Sequence, residues 1–353
     1  MRHDPHEPAA PPSPDADSPG KNAPASDPSA TEAMDPESTA SETVRAAVFD
    51  GPDAGVHVDA FPRPDLAPGA ALVQVSCCTV CGSDVHTYTG NRIEPTPAIL
   101  GHEMVGRIAA IGGTGLTDYH GEPLAIGDRV TWSMQVTCGD CFNCTHGIPQ
   151  KCTTLFKYGH AAISERHALN GGLTEACHLR PGTTLFRVPE AVPDVVISPA
   201  NCATATVAGA VRLAGDLAGQ VVLVQGVGML GLTAIAMADA AGAAAIIALE
   251  RQARRREWAR SFGATVCVDP ADAHDDALEA VVQHHSDGRG ADVLLELTGD
   301  PDATERGLAA LRTGGTGVLV GATYPSRPLH VEAEDLVRRV LTVRGLHNYT
   351  HDD

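Results

Sequence analysis

The sequence predicts an α/β protein with two parts, a mostly β first part and a doubly wound parallel sheet after it. From Thr43 to about Val195, short β-type runs are separated by Gly and Pro turns. From about Ala203, apolar strands, glycine turns and alanine-rich helices alternate, as in a parallel sheet covered by helices on both faces. We therefore expect a tail over 1–42, a β domain over 43–203, a parallel-sheet domain over 204–345 and the beginning of a return segment over 346–353.

The individual elements follow from these local patterns. The first part has four clear β-type runs, Val44–Phe49, Ala71–Ser76, Val105–Ile111 and Asp128–Trp132. The second part predicts helices over Leu232–Ala241 and Arg254–Phe262, and strands over Val221–Gln225, Ala244–Glu250, Thr265–Val268, Ala291–Leu297 and Gly317–Val320. His284 and His285 stand in a polar stretch that reads as a solvated loop.

Composition narrows the classes of function. The 353 residues are 43% hydrophobic with a formal charge of −19, which argues against nucleic-acid and anionic-membrane partners. Residues 1–42 carry 9 acidic and 2 basic side chains, so they supply −7 of that charge, and their Pro, Ala, Ser and Asp content predicts disorder. A start at Met34 or a later codon is an alternative reading of this tail. Ten cysteines without an export signal or a membrane span indicate a reducing, cytoplasmic location and metal ligation.

Four cysteines form the most specific motif. They stand in the pattern C-x2-C-x2-C-x7-C, in which four soft thiolates can close a tetrahedral zinc site that has structural use only. An iron–sulfur cluster is the competing interpretation, but that motif places the fourth cysteine three residues on and before a proline. Four reduced cysteines without a metal are the third. The pattern favours a structural zinc held by Cys138, Cys141, Cys144 and Cys152.

A nucleotide motif stands in the context that it requires. The glycines of G-x-G-x-x-G, namely Gly226, Gly228 and Gly231, follow a predicted strand and precede a predicted helix, whose N-terminus can receive a pyrophosphate. Glu250 ends the next strand, 24 residues after Gly226, where a carboxylate can bind the ribose hydroxyls and repel a 2′-phosphate. This favours NAD over NADP. The alternative is that arginines grip a 2′-phosphate, the candidates being Arg251, Arg254, Arg255 and Arg256.

A second, open metal site needs three protein ligands. Cys81 in Cys-Gly-Ser-Asp-Val-His and His102 in Gly-His-Glu are candidates, and Cys202, at the seam between the two parts, is the best third. With these motifs the chain resembles the medium-chain zinc-dependent alcohol dehydrogenases, which combine a GroES-like catalytic domain with a Rossmann domain. The resemblance runs from about Thr43 to the C-terminus.

The resemblance implies a role for each matching residue. Cys81, His102 and Cys202 become the ligands of a catalytic zinc, so that two zinc ions are expected per chain, and Glu103 lies behind the metal. Asp84 would orient the ligand imidazole, and Ser83 and His86 would form the proton relay. Thr206 is expected at the cofactor. Met134 matches a position that lines the substrate pocket, and Arg92 lies in the stretch that lines the substrate cleft.

The implied activity is hydride transfer between an alcohol, ionised at the zinc, and NAD+, reversibly giving an aldehyde or ketone. A homodimer or homotetramer is expected. Arg92 indicates an anionic substrate, unless it points to solvent or to the cofactor phosphates, and the run from Ser198 to Val207 resembles a branch associated with phosphonate metabolism.

Family members continue for some tens of residues beyond the last Rossmann strand, so a truncated frame or a natural short form is expected here. Two other classes stay open, a zinc-free reductase of the same fold and a non-catalytic form that binds zinc and nucleotide.

Overall fold

The computed structural model describes residues 42–271 and 275–353. The predicted tail, apart from Glu42, lies outside these described residues. The described part from Glu42 to Asp353 forms one compact unit that contains both of the predicted architectures.

The first part is built from antiparallel strands and short helices. Its two main sheets have the orders β2-β1-β4 and β10-β6-β5-β3-β9, and β7 and β8 form a small ribbon. Three α-helices and the 3-10 helices Pro149–Lys151 and Ser198–Asn201 connect them. The elements are β1 (Thr43–Gly51), β2 (Gly55–Pro62), β3 (Ala71–Thr79), α1 (Gly82–Tyr88), β4 (Ala98–Ile99), β5 (Glu103–Ile111), β6 (Arg129–Trp132), β7 (Gln135–Val136), α2 (Phe142–Thr145), β8 (Phe156–Lys157), β9 (Ala176–Leu179), β10 (Leu185–Arg187) and α3 (Asp194–Ile197).

The second part is a six-stranded sheet with the order β13-β12-β11-β14-β15-β16, and all of its strand pairs are parallel. This is the doubly wound order in which the chain turns back beside the first strand. The sequence prediction of the fold class is thus confirmed. The elements are α4 (Ala203–Ala214), β11 (Val221–Gln225), α5 (Met229–Ala240), β12 (Ala245–Leu249), α6 (Ala253–Ser261), β13 (Val266–Val268), α7 (Asp275–His285), β14 (Ala291–Glu296), α8 (Pro301–Ala309), β15 (Leu311–Leu319), α9 (Ala333–Arg338) and β16 (Thr342–Gly345).

Alternating residues of the central strands bury both faces of this sheet. Val222 and Val224 of β11 point into one core with α4 and α5, while Val221 and Leu223 point into a second core with α7 and α8. Continuous apolar strands are required because helices exclude water from both faces. His284 and His285 end α7, so the prediction that they stand in a loop is wrong. The reason is that the alternation of apolar and polar residues over this stretch has the helical period.

The β part has its own core around Trp132, Tyr158 and Met104, all three fully buried. Across the described residues, no single helix is long and apolar enough to span a bilayer. The bent helix pair Asp194–Asn201 and Ala203–Ala214 has the length and the apolar composition of a membrane span only when the two helices are counted together.

Candidate active site

Three separate segments bring the predicted ligands of the open zinc site together. Cys81 precedes α1, His102 and Glu103 stand at the beginning of β5, and Cys202 precedes α4. Their ligand atoms all lie within 4.8 Å of one another, and the two Sγ atoms are 4.0 Å apart. Two thiolates on one tetrahedral zinc would be about 3.8 Å apart at the usual Zn–S distance. The donor set therefore fits zinc in spacing and in softness.

Two buried side chains fix Cys202 beside the other ligands. Ser198 Oγ donates to the Glu103 carbonyl oxygen (2.6 Å), and Asn201 Nδ2 donates to the carbonyl oxygens of His102 (3.1 Å) and Trp132 (2.7 Å). Both side chains belong to the 3-10 turn that ends at Cys202. Sequence reasoning proposed Cys202 as a ligand but missed Ser198 and Asn201. The only signal for these two residues is that they stand four positions and one position before Cys202.

Asp84 holds the His102 imidazole from behind. Its Oδ1 lies 3.3 Å from Nδ1 of His102, while its two oxygens accept the backbone N–H groups of Cys81 (2.9 Å) and Gly101 (3.2 Å). Burial opposes the charged form of Asp84, but His102 and these N–H groups outweigh it and lower the pKa of the carboxyl. An ionised Asp84 keeps the proton on Nδ1 and leaves Nε2 free for the ligand cluster.

The two thiols of the cluster differ in their readiness to ionise. A hydrogen bond from Cys202 lowers the pKa of Cys81 to about 3, with a further contribution from His102, although burial acts in the other direction. The contact with Cys81 and burial raise the pKa of Cys202. One thiolate is thus formed by the protein itself, and a divalent cation would be needed to ionise both.

Glu103 completes the cluster from the side of β5. Its carboxylate accepts the Thr79 hydroxyl (2.6 Å), and burial raises its pKa, helped by Cys81. Its position behind a metal stays a prediction.

The proposed relay residues lie on α1. Ser83 Oγ is 3.4 Å from His102 Nε2, and His86 is one helical turn further on. The His86 ring packs against Tyr324, with centroids 4.5 Å apart, and Tyr324 follows the carboxyl end of β15. His86 therefore lies where the β part meets the edge of the parallel sheet at which such folds bind ligands. Tyr324 was not identified from the sequence.

A further histidine lies against the cluster and was also missed. The His160 ring centroid is 4.7 Å from that of His102, and His160 Nδ1 is 3.3 Å from Glu94 Oε1. The same carboxylate oxygen is 2.5 Å from Arg92. Arg92, expected to indicate an anionic substrate, is therefore already paired with a carboxylate. Glu94 and His160 are 66 positions apart and have no motif in common.

The four cysteines of the predicted structural site also converge. Their Sγ separations are 3.4 Å for Cys138 and Cys152, 3.5 Å for Cys141 and Cys144, and 4.0 Å for Cys138 and Cys144. Backbone N–H groups of Thr153 and Cys144 lower the pKa of Cys141 to about 6. Because all four ligand atoms lie within 4.8 Å of one another, this lobe offers a closed tetrathiolate site.

The glycine motif lines a cleft of about 540 Å³ at the carboxyl ends of β11, β12 and β14. Gly226 has a φ of +87°, and a Cβ at Gly231 would lie 2.0 Å from the Gly226 carbonyl oxygen, whereas a Cβ at Gly228 would meet nothing within 4 Å. The first glycine thus serves the turn, the third permits close packing of α5, and the second leaves room for a ligand at the helix N-terminus.

Glu250 stands at the rim of this cleft. Its two carboxylate oxygens accept the backbone N–H groups of Val227 and Gln252, both at 2.9 Å. Arg251 and Arg255 also line the cleft, and Arg255 Nη1 is 3.8 Å from Glu250. Arg256 instead pairs with Asp269 at 2.8 Å. On the Glu250 side of the cleft, one carboxylate therefore stands beside two arginines, while Asp300, Asp302 and Arg306 also line the cleft.

Thr206 lies on α4, four residues beyond Cys202, and its side chain is buried. It does not line the cleft that contains the glycine motif. Its assignment to the cofactor stays a prediction.

Comparison with known proteins agrees with both halves of this architecture. Residues 67–190 match the family model for the alcohol dehydrogenase GroES-like domain, and residues 229–353 match the model for zinc-binding dehydrogenase. The 5-exo-hydroxycamphor dehydrogenase of Pseudomonas putida is 32% identical over 80% of this chain and 78% of its own length. The L-threonine 3-dehydrogenase of Pyrococcus horikoshii is 31% identical over 87% of this chain and 83% of its own.

Among solved structures, the alcohol dehydrogenase of Thermotoga maritima superposes with a TM-score of 0.84 at 30% identity, covering 88% of this chain and 86% of its own. The chain belongs to the medium-chain zinc-dependent alcohol dehydrogenase family.

Proposed function

We propose that this protein is a zinc- and NAD-dependent alcohol dehydrogenase that interconverts an alcohol with an aldehyde or ketone. The observation that carries the proposal is the convergence of Cys81, His102 and Cys202 at the junction of the β part with α4. The substrate is a small alcohol or carbonyl compound that carries an anionic group, a class that includes phosphonates. A second, structural zinc is held by the four-cysteine lobe.

Each group at the site has a separate chemical role in the proposed reaction. A zinc at the first cluster would supply Lewis acidity toward the substrate oxygen, and the nicotinamide would accept or donate the hydride. Ser83 accepts the proton of the substrate hydroxyl, and His86, on the same face of α1, delivers it toward solvent. Asp84 keeps His102 in the tautomer that the metal requires.

NAD is the preferred cofactor in this proposal because the Glu250 carboxylate would repel a 2′-phosphate. The neighbouring Arg251 and Arg255 favour the second candidate, NADP, and the preference therefore depends on one carboxylate.

We further propose a cytoplasmic enzyme that works as a homodimer or homotetramer. Sedimentation of the purified chain would test the oligomeric state.

Metal content and turnover of a single variant test the ligand assignment. In the Cys202→Ser variant, zinc should fall from two ions per chain to one, since an alcohol side chain replaces a thiolate ligand. Turnover of alcohols with NAD+ should fall roughly 100-fold or more, because the Lewis-acid contribution amounts to several kcal/mol. Elemental analysis and initial rates on the same sample measure both.

Cys267→Ser is the matched control, because Cys267 is half-buried in the nucleotide-binding part and belongs to neither cluster. It should keep both zinc ions and the full rate. Fluorescence titration with NADH should give the same affinity for both variants if they are folded. A Cys202→Ser protein that retains two zinc ions and normal turnover would show that the ligand set is wrong, and turnover that survives removal of all zinc would favour a zinc-free reductase.

A further inference from the structure

Three cationic side chains and a histidine converge beside the catalytic donor cluster from four separate segments. Arg92 follows α1, Lys151 ends a 3-10 turn in the four-cysteine lobe, Lys157 ends β8, and His347 follows β16. Partial burial and the charges of Lys157, Lys151 and Arg92 lower the pKa of His347 to about 4. These groups therefore share one region of positive potential.

The contacts of each cation show which charge is compensated. Arg92 pairs with Glu94 at 2.5 Å, so its charge is neutralised locally. Lys157 Nζ donates to Asn348 Oδ1 at 2.8 Å, and Lys151 Nζ lies 2.7 Å from His347 Nδ1. Both of these acceptors are neutral. Within the described ranges, no carboxylate forms an ion pair with either ammonium group.

Lys157 is the better placed of the two lysines. It is half-buried, whereas Lys151 is exposed. Burial, followed by the charges of Arg92 and Lys151, lowers the pKa of Lys157 to about 8, while Glu94 and Cys202 act in the opposite direction. The backbone N–H of His160 donates to the Lys157 carbonyl oxygen (3.4 Å), and the His160 ring lies 4.7 Å from that of His102, so β8 ends close to the donor cluster. An ammonium group has three donors, and Asn348 uses one, so two remain for a ligand.

The strand pair of Lys157 fixes its position. Lys157 pairs with Gln135 across the β7–β8 ribbon, and the next residue, Tyr158, donates its N–H to the carbonyl oxygen of Met134 (2.9 Å). Met134 is the residue expected to line the substrate pocket. The ammonium group of Lys157 thus projects from a strand that is bound to this lining, and not from a free loop.

We infer that Lys157, supported by Lys151, binds the anionic group of the substrate and selects alcohols that carry a carboxylate or phosphoryl-type group on the carbon chain. This inference rests on the proposed dehydrogenase function and identifies the group that recognises substrate charge. Arg92, which the sequence suggested for this role, serves instead to hold Glu94 beside His160. A desolvated lysine with unused donors attracts an oxyanion more strongly than a surface lysine, because water screens the charge less.

The test uses three alcohols that differ only at the end remote from the hydroxyl group. 1-Butanol ends in a methyl group, 4-hydroxybutyrate in a carboxylate and 3-hydroxypropylphosphonate in a phosphonate. We expect the holoenzyme to have a higher kcat/KM for at least one anionic alcohol than for 1-butanol. The Lys157→Met variant should lose roughly 10- to 100-fold in kcat/KM for the anionic alcohols, the usual effect of removing a charged hydrogen-bond donor. Its kcat/KM for 1-butanol should be unchanged.

Two further variants separate charge recognition from general damage. Lys157→Arg retains the charge and should keep most of the preference for anions. Arg166→Met removes one exposed positive charge elsewhere in the β part and should leave the preference at the wild-type value. Zinc content and NADH binding equal to wild type would show that each variant is folded.

The inference is overturned if Lys157→Met keeps the wild-type ratio of kcat/KM between anionic and neutral alcohols, or if the wild type prefers 1-butanol to both anions. If none of the three alcohols is oxidised, calorimetric titration of the NADH-bound protein with 3-hydroxypropylphosphonate and with 4-hydroxybutyrate decides. Binding that weakens at least about 10-fold in Lys157→Met supports the anion site even though the proposed activity has failed. Equal binding, or none, by both proteins overturns it.

Discussion

Glu250 has a structural role in the fold and, in the proposed function, a second role in cofactor choice. It is nearly buried at the end of β12, accepts two backbone N–H groups and lines the cleft next to Arg251 and Arg255. If the carboxylate is removed, the positive charges of Arg251 and Arg255 are no longer opposed at the rim. The balance between the two nicotinamide cofactors should then change in favour of the phosphorylated one.

We therefore expect Glu250→Ala to narrow or reverse the preference for NAD, raising the ratio of kcat/KM for NADP to that for NAD by roughly 10-fold or more, the effect of about 1.4 kcal/mol. Glu250→Gln separates the two roles, because it keeps an acceptor for the backbone N–H groups while losing the charge. It should change cofactor preference with a smaller loss of stability than Glu250→Ala. Initial rates with both cofactors measure this, and an unchanged ratio in both variants would disprove the assignment.

At the scale of elements, the four-cysteine lobe has little regular structure of its own. Within it, α2 and the 3-10 turn have only four and three residues. Such short helices are not stable by themselves. Cys138 is exposed while Cys152 is buried, so the expected zinc would connect the rim of the lobe to the core of the β part.

The Cys138→Ser variant should lose one zinc per chain and unfold at a temperature lower by about 5 °C or more, because a closed metal site contributes its binding free energy to folding. Molecules that stay folded should retain NADH affinity and the catalytic zinc. Calorimetry with elemental analysis measures both, with Cys267→Ser as the reference. A normal zinc content with an unchanged midpoint would argue against a structural metal in this lobe.

The elements that could be predicted from the sequence are those whose signals are local. The strand, glycine turn and helix around Gly226 were predictable because each glycine has a steric role within a few residues of chain. Even so, α5 begins at Met229 and not at Leu232, since the helix starts directly after Gly228. The charge cluster was not predictable, because Lys157 and Asn348 are 191 residues apart and neither belongs to a motif. Only the tertiary fold shows that Arg92 is neutralised while Lys157 is not.

At the scale of the whole molecule, residues 346–353 connect the end of the parallel sheet to the β part. Tyr349 is buried, its hydroxyl oxygen accepts the Met134 N–H (3.1 Å), and its carbonyl oxygen accepts Gln135 Nε2 (3.0 Å). The neighbouring Asn348 holds Lys157. This short segment therefore fixes the β7–β8 ribbon and the proposed anion site at the same time.

Tyr349→Phe should thus reduce both stability and charge selection. Loss of the acceptor leaves a buried N–H of Met134 unsatisfied, which costs about 1–3 kcal/mol and lowers the unfolding midpoint by roughly 2–8 °C. Tyr119→Phe is the matched control, because the Tyr119 hydroxyl contacts Asp352 of the same segment but is exposed, and such surface changes stay within about 0.5 kcal/mol. If the segment positions Lys157, the preference for 4-hydroxybutyrate over 1-butanol should decrease in Tyr349→Phe and not in Tyr119→Phe. Equal effects of the two substitutions would mean that the segment acts through its surface contacts and not through its buried tyrosine.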